Sequence, residues 1–314
     1  MNKKKHASIK VYIARPRGFC AGVDRAIDIV KLALKKYKHP VFVRHEIVHN
    51  RHVVEDLKKS GAIFVEDFEN VPEGSIIIFS AHGVSPEVRQ QAIDKNLHII
   101  DATCPLVTKV HLKAIRYAKL GYHIVMIGHR NHVEVIGTKG EAPNNITVVE
   151  DLEDIARLEV PDPEKVAIIT QTTLSLNDSA IMIDALRKKY PSIVKPKDND
   201  ICYATTNRQK AVMEMAKLCD MILVIGSPSS SNSNRLVEVA LSKGSKAVLI
   251  DDATQLEASM LENVQNLGIT AGASAPEFIV QSIINWLKKH YRTEFDYIDT
   301  GVEEVSFTIK KDVI

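Results

Sequence analysis

An α/β fold built mainly on parallel sheets is the expectation, and two observations carry it. Short apolar runs rich in β-branched residues recur from one end of the chain to the other, and amphipathic stretches of helical period separate them. Alternation of this kind indicates strands joined by crossover helices. In order, strands are expected at 11–14 (VYIA), 41–43 (VFV), 75–80 (SIIIFS), 98–101 (HIID) and 123–128 (HIVMIG). Further ones follow at 146–149 (ITVV), 166–170 (VAIIT), 221–226 (MILVIG), 247–250 (AVLI) and 269–272 (ITAG). Between them, helical spacing covers 24–36, 105–120, 179–190, 205–217 and 276–290. Three similar lobes result, at 21–103, 104–200 and 201–290, in a pseudo-threefold arrangement around a shared centre. The strand within about 9–20 is expected to join the third lobe, and 291–314 is read as a tail.

Composition excludes several classes. The chain has 314 residues, 45% of them apolar, enough for two or three domains with real cores. A net charge of +2 argues for neither nucleic acid nor an anionic membrane as partner, and the lysine-rich start (MNKKKH) reads as a solvated tail. No apolar run approaches the ~18 residues of a membrane span, and no apolar segment of a signal peptide follows the basic start. Four widely separated cysteines do not resemble a secreted disulfide framework. A soluble, cytoplasmic protein is expected.

Three of those cysteines share one structural address. Cys20 (PRGFCAGVDRA), Cys104 (DATCPLVTKV) and Cys202 (NDICYATTNRQ) each follow a strand-like segment and precede a helical one. In parallel α/β sheets ligands gather at that end of the strands. The free N–H groups and dipole of a helix start favour a thiolate and any anionic cluster. Three converging thiolates would hold a metal or an iron–sulfur cluster, and zinc and iron–sulfur both stay open at this point. With only three protein ligands, one position is left for substrate. Cys219, apolar on both sides in MAKLCDMILV, reads instead as a core thiol.

Histidines and hydroxyls mark the same strand ends. His49 (RHEIVHN), His82 (FSAHGVS) and His132 (GHRNHVEVIG) each follow a strand and sit beside a turn or helix start, where an imidazole can bind phosphate and carry protons. Glu134, two residues beyond His132, is a carboxyl that could donate a proton if buried. The serine-rich run at 226–236 (GSPSSSNSNRL) stands tightly between a strand and a helix. It reads as an anion cradle rather than a linker. The same logic applies to TAGASAPE, with Ser274 before a proline-opened helix, and to TQTTLS, where Thr172 and Thr173 end a strand.

Over about 9–287 the chain closely resembles the 4-hydroxy-3-methylbut-2-enyl diphosphate reductases of the methylerythritol phosphate route to isoprenoids. The likeness rests on PRGFCAGVDRA, FSAHGVS, DATCPLVTKV, TQTTLS, DICYATTNRQ, SSNSNRL and TAGASAPE. The resemblance implies three lobes around one [4Fe–4S] cluster per chain, held by Cys20, Cys104 and Cys202. It implies His49, His82 and His132 as substrate histidines, Glu134 as the proton-delivering carboxylate, and Thr172 as the residue orienting the substrate hydroxyl. Ser230, Ser231, Asn232 and Ser274 match the diphosphate contacts. An allylic diphosphate is the implied substrate and a ferredoxin or flavodoxin the implied one-electron donor. One departure is visible: Val133 stands where a proline is common between the histidine and the glutamate.

Overall fold

The computed structural model describes residues 8–37, 39–194 and 200–309. The basic start and residues 310–314 of the expected tail lie outside the described residues. In chain order the elements begin β1 (Ser8–Arg15), α1 (Ala21–Lys36), β2 (Val41–Arg44), α2 (Arg51–Lys59), β3 (Ala62–Val65) and β4 (Ile76–Phe79). There follow α3 (Pro86–Asp94), β5 (His98–Asp101), α4 (Pro105–Lys119), β6 (His123–Ile127), α5 (Val133–Gly140), β7 (Ile146–Val149) and α6 (Leu152–Arg157). The remainder are β8 (Val166–Thr170), α7 (Leu176–Lys189), α8 (Tyr203–Met215), β9 (Met221–Ile225), α9 (Ser231–Ser242), β10 (Lys246–Ile250), β11 (Asn266–Ala271), α10 (Glu277–His290) and β12 (Arg292–Asp299).

Three sheets result, in the orders β10-β9-β11-β1-β12, β3-β2-β4-β5 and β7-β6-β8. Every pairing among them is parallel. The reason lies in the strands: β4 (IIIF), β8 (VAIIT) and β9 (MILVI) are buried along their whole length, so both faces need a cover, and crossover helices supply it. The mixed α/β class with mainly parallel sheets is therefore as expected from the alternation.

Among the described residues the chain forms two compact units. One comprises 8–20, 49–51 and 203–305; the other comprises 21–48, 52–202 and 306–309, less the undescribed positions. The first unit holds the five-stranded sheet. Leu223 and Ile225 of β9 pack with Ile279, Ile283 and Leu287 of α10 on one face. The alternate residues Ile222 and Val224 pack with Val212 and Met215 of α8 and Leu236 of α9 on the other. The second unit holds the two smaller sheets. There Val125 and Ile168 meet Met182 and Leu186 of α7, while Ile124 and Met126 meet Val110 of α4 and Val135 of α5.

Two differences from the sequence reading matter for function. Helices α1 and α8 begin directly behind Cys20 and Cys202, earlier than the expected starts at 24 and 205. The residues buried in these first turns are mostly small or polar, Gly22 with Val23 in α1 and Ala204 with Thr205 in α8, so they carry little apolar period to read. The second difference is a correction: residues 292–299, placed in the tail, form β12 and pair with β1 over their full length. Its sequence, RTEFDYID, is exposed at most positions, with Phe295 packed on one face of the sheet and Ile298 on the other, as a half-solvated edge strand is.

Candidate active site

Within the second unit, Glu134 occupies the second position of α5 and is only 2% exposed. His132 is the N-cap of that helix, and its Nδ1 accepts from the backbone N–H of Glu134 at 3.2 Å. An accepting Nδ1 places the ring proton of the neutral imidazole on Nε2. Val133, at the proline-favoured first position, does not disturb the start: α5 begins there regardless. The Glu134 carboxyl is gripped by one residue, Thr172, whose N–H donates to Oε1 at 2.7 Å and whose hydroxyl donates to Oε2 at 2.8 Å. Burial pushes this carboxyl up to about 7, against the two Thr172 bonds and the charge of His111, which pull it down.

Thr172 also connects Glu134 to a cysteine. Its carbonyl accepts from the N–H of Cys202 at 3.1 Å, so one residue fixes the carboxyl on one side and the cysteine backbone on the other. Cys104 is seated in a matching way. It is the N-cap residue of α4, and its N–H donates to Ala81 O at 2.9 Å, beside His82. The His82 ring meets that of His132 edge to face at 6.1 Å, and Ser80 Oγ lies 3.2 Å from His82 Nδ1. Among the sequence-predicted residues, the second unit thus brings together His82, Cys104, His132, Glu134, Thr172 and Cys202. Thr173 turns aside; its hydroxyl accepts from Gln171 Nε2 at 2.8 Å.

Two buried pairs behind Glu134 escaped the sequence reading. His111 of α4 is bonded through Nδ1 to Glu141 Oε1 at 2.8 Å. Its ring fills the space left by Gly83, whose φ of +78° is a glycine conformation and whose absent Cβ would lie 3.2 Å from His111 Nε2. Asp200 pairs with Lys113 and accepts from the N–H of Thr170 at 3.2 Å; burial raises its carboxyl in spite of Lys113. Both pairs arise from α4, the helix that starts behind Cys104. A charged residue on the inner face of an otherwise amphipathic helix was the available signal.

The first unit holds Cys20, His49 and the hydroxyl cradle. Ser230 caps α9, accepting from Ser233 N at 3.3 Å and from Ser233 Oγ at 3.0 Å. Ser231 and Asn232 form the first turn of that helix. Asn232 joins two further segments: Nδ2 donates to Thr205 Oγ1 at 3.2 Å and Oδ1 accepts from Ala273 N at 2.9 Å. Ser274 donates to the carbonyl of His49 at 2.9 Å. The predicted diphosphate contacts are therefore knitted together, and Thr205 joins them unforeseen. Ser233 seats the turn by fitting between strand ends where only glycine leaves room: a Cβ on Gly226 or Gly272 would lie 2.1 or 2.0 Å from its Oγ.

Three cysteines have the chemistry of iron–sulfur ligands. Cys20 in the first unit, and Cys104 and Cys202 in the second, are outside any disulfide and partly exposed, each directly ahead of a helix start. Cys219 is different: it is packed among Ala211, Met215 and Ile222, and burial pushes its thiol up to about 12, which suits a core residue and not a ligand. Among the described residues, no helix is long and apolar enough to cross a membrane.

Comparison with known proteins identifies the family. The LytB protein family matches residues 11–288. A 4-hydroxy-3-methylbut-2-enyl diphosphate reductase of Histophilus somni is 53% identical over 308 residues, 97% of this chain and 98% of its own. One of Nitrosomonas europaea is 56% identical over 284 residues, 90% of this chain and 88% of its own. The structure of the E-1-hydroxy-2-methyl-but-2-enyl-4-diphosphate reductase from Plasmodium falciparum is 42% identical, with a TM-score of 0.94 covering 98% of this chain and 97% of that one. With the match running through nearly every strand and helix, the chain belongs to the LytB family of 4-hydroxy-3-methylbut-2-enyl diphosphate reductases.

Proposed function

We propose that this oxidoreductase removes the hydroxyl of 4-hydroxy-3-methylbut-2-enyl diphosphate to give isopentenyl and dimethylallyl diphosphate, with Cys20, Cys104 and Cys202 holding one [4Fe–4S] cluster. The balance requires two electrons and two protons and releases water. When bound, the cluster would supply the electrons one at a time, and its one iron without a protein ligand would polarise the leaving hydroxyl. A one-electron donor of the ferredoxin or flavodoxin type delivers them, in the cytoplasm.

The chain's own residues bind, orient and protonate. The free N–H groups at the start of α9, with Ser230, Ser231, Asn232 and Ser274, cradle the diphosphate. Ser230 already accepts two bonds, so its own hydrogen remains available to donate to a phosphate oxygen. His49, His82 and His132 add donors to the anion. Fixing the diphosphate fixes the allyl chain, which turns binding energy into orientation. Glu134 carries the proton: a carboxyl titrating near 7 is protonated in useful amount at neutral pH and gives the proton up readily. The Thr172 hydroxyl, bonded to Oε2, relays or orients that proton at the substrate oxygen.

One observation carries the reading. Thr172 holds the buried carboxyl through its N–H and hydroxyl and holds Cys202 through its carbonyl. A proton donor rigidly linked to a cysteine at a helix start is what proton-coupled reduction needs. A non-redox hydrolase with a three-cysteine zinc site could also use such an acid, and it is the likeness to the reductases over nearly the whole chain that favours the redox reading. Metal analysis separates the two. Anaerobically purified protein should be brown, with iron and acid-labile sulfide in the proportions of one four-iron cluster; colourless protein containing zinc would contradict the reductase reading.

A further inference from the structure

The stretch that follows β12 has no place in the mechanism, yet it makes the most heavily bonded charged contact in the first unit. Arg208 of α8 has a side chain that is 0% exposed. Its guanidinium donates to the loop ahead of Cys20: Nε and Nη2 reach Gly18 O at 3.2 and 2.6 Å, and Nη2 reaches Phe19 O at 3.3 Å. Nη1 donates to Ala204 O, in the first turn of α8, at 3.0 Å. The paired carboxylate comes from far along the chain. Glu303 accepts from Nη1 at 2.9 Å through Oε1 and from Nη2 at 3.3 Å through Oε2, and Asn207 Nδ2 adds a bond to Oε1 at 3.1 Å.

The same stretch touches the loop at its other end. Thr300 donates to Arg15 O from its N–H at 2.9 Å and from its hydroxyl at 3.1 Å. Backbone bonds from Gly18 N to Ala271 O and from Cys20 N to Ala273 O, both 3.2 Å, complete the seat. A guanidinium buried this fully is tolerated only if charge and donors are both satisfied. Removing the carboxylate would leave a buried charge held only by the Gly18, Phe19 and Ala204 carbonyls, a seat that has to rearrange to hydrate it.

We propose that the stretch after β12 is a clamp whose Glu303, acting through Arg208, positions the loop that presents Cys20. Glu303 and Arg208 are positioning residues in this scheme; neither touches substrate. A plain tether for the chain end would need only the β12 pairing, and would not need to enter the hydrogen-bond shell of the cysteine loop. The clamp's bearing on catalysis rests on the reading that Cys20 is a cluster ligand.

The test compares thiols within one molecule. Cluster-free full-length protein is labelled anaerobically with iodoacetamide, and the rates at Cys20, Cys104 and Cys202 are read by peptide mass spectrometry. With Glu303→Gln, Cys20 should label about tenfold faster or more, the scale of losing one charge-assisted hydrogen bond, while Cys104 and Cys202 keep their rates. Asn207→Ala, a milder change that leaves the ion pair in place, should act in the same direction by a smaller factor. In reconstituted protein both variants should lose cluster absorbance to a chelator faster than the unaltered chain. Unchanged labelling of Cys20, or an equal rise at all three cysteines, would overturn the clamp. Iron content of Cys20→Ser tests the ligand reading separately: full iron there would sink that reading, while the labelling ratio would still decide the clamp.

Discussion

At Glu134 burial outweighs the bonds that oppose it. Burial favours the neutral acid, whereas the two Thr172 bonds and the charge of His111 favour the carboxylate, and the outcome is a group titrating at about 7. The sign of the stability effect follows. The folded carboxyl binds its proton more tightly than the unfolded one, whose ordinary value is 4.5, so stability falls as pH rises from about 4.5 to about 7 and stays low above that. The loss is on the order of 3 kcal/mol at most. Glu134→Gln, which fixes the neutral state, should be more stable than the parent at pH 8 and by much less at pH 5 in urea titrations; a margin that ignores pH would count against the assignment. His111 supplies a second prediction. When charged it favours ionised Glu134, so His111→Gln should move the alkaline limb of the pH–rate profile upward, and a profile that stays put or moves down would contradict it. Candidate residues at this scale could be chosen from the sequence because cysteines and histidines recur at strand ends and the single H-x-E pair, His132 and Glu134, stands among them. His111 could not, because a polar residue in an amphipathic helix reads as exposed unless its partner is known, and Asp200 could not, because it lies between α7 and α8, where an aspartate reads as a solvated loop residue.

At the scale of elements, the proposed site residues stand at helix starts. Cys104 precedes α4, His132 caps α5 and Ser230 caps α9, so each lies at the positive end of a helix dipole. The seat of α9 depends on Ser233 fitting between the ends of β9 and β11, where Gly226 and Gly272 leave room. Gly272→Ala should therefore lower the melting temperature and raise KM for the diphosphate substrate more than it lowers kcat. Adding Ser233→Ala should recover part of the loss, since the two side chains compete for one space. Equal loss in KM and kcat, or no recovery, would place the role of this turn elsewhere. Strands such as β8 and β9 could be read directly as unbroken apolar runs. β12 could not: its alternation of charged and apolar residues belongs to an edge strand, and edge strands share their composition with tails. The early starts of α1 and α8 were hidden because the residues buried in their first turns are mostly small or polar.

For the molecule as a whole, the sheet class was legible because alternation of strand and helix persists along the chain, and sheets covered on both faces leave that trace. Long-range closures left none: Arg208 lies in α8 and Glu303 in the stretch after β12, and neither local sequence announces the other. The same holds for Thr172, whose part in the site depends on Glu134 and Cys202 reaching it from separate segments. The central claim is that this arrangement performs proton-coupled reductive dehydroxylation with Glu134 as donor. Its most direct test is anaerobic turnover of 4-hydroxy-3-methylbut-2-enyl diphosphate by cluster-loaded protein and its Glu134→Gln variant, with a reduced dye as electron source. The parent should form isopentenyl and dimethylallyl diphosphate, and the variant, with its cluster intact, should turn over about 100-fold more slowly or less. No conversion by the loaded parent, or an undiminished rate in the variant, would contradict the account.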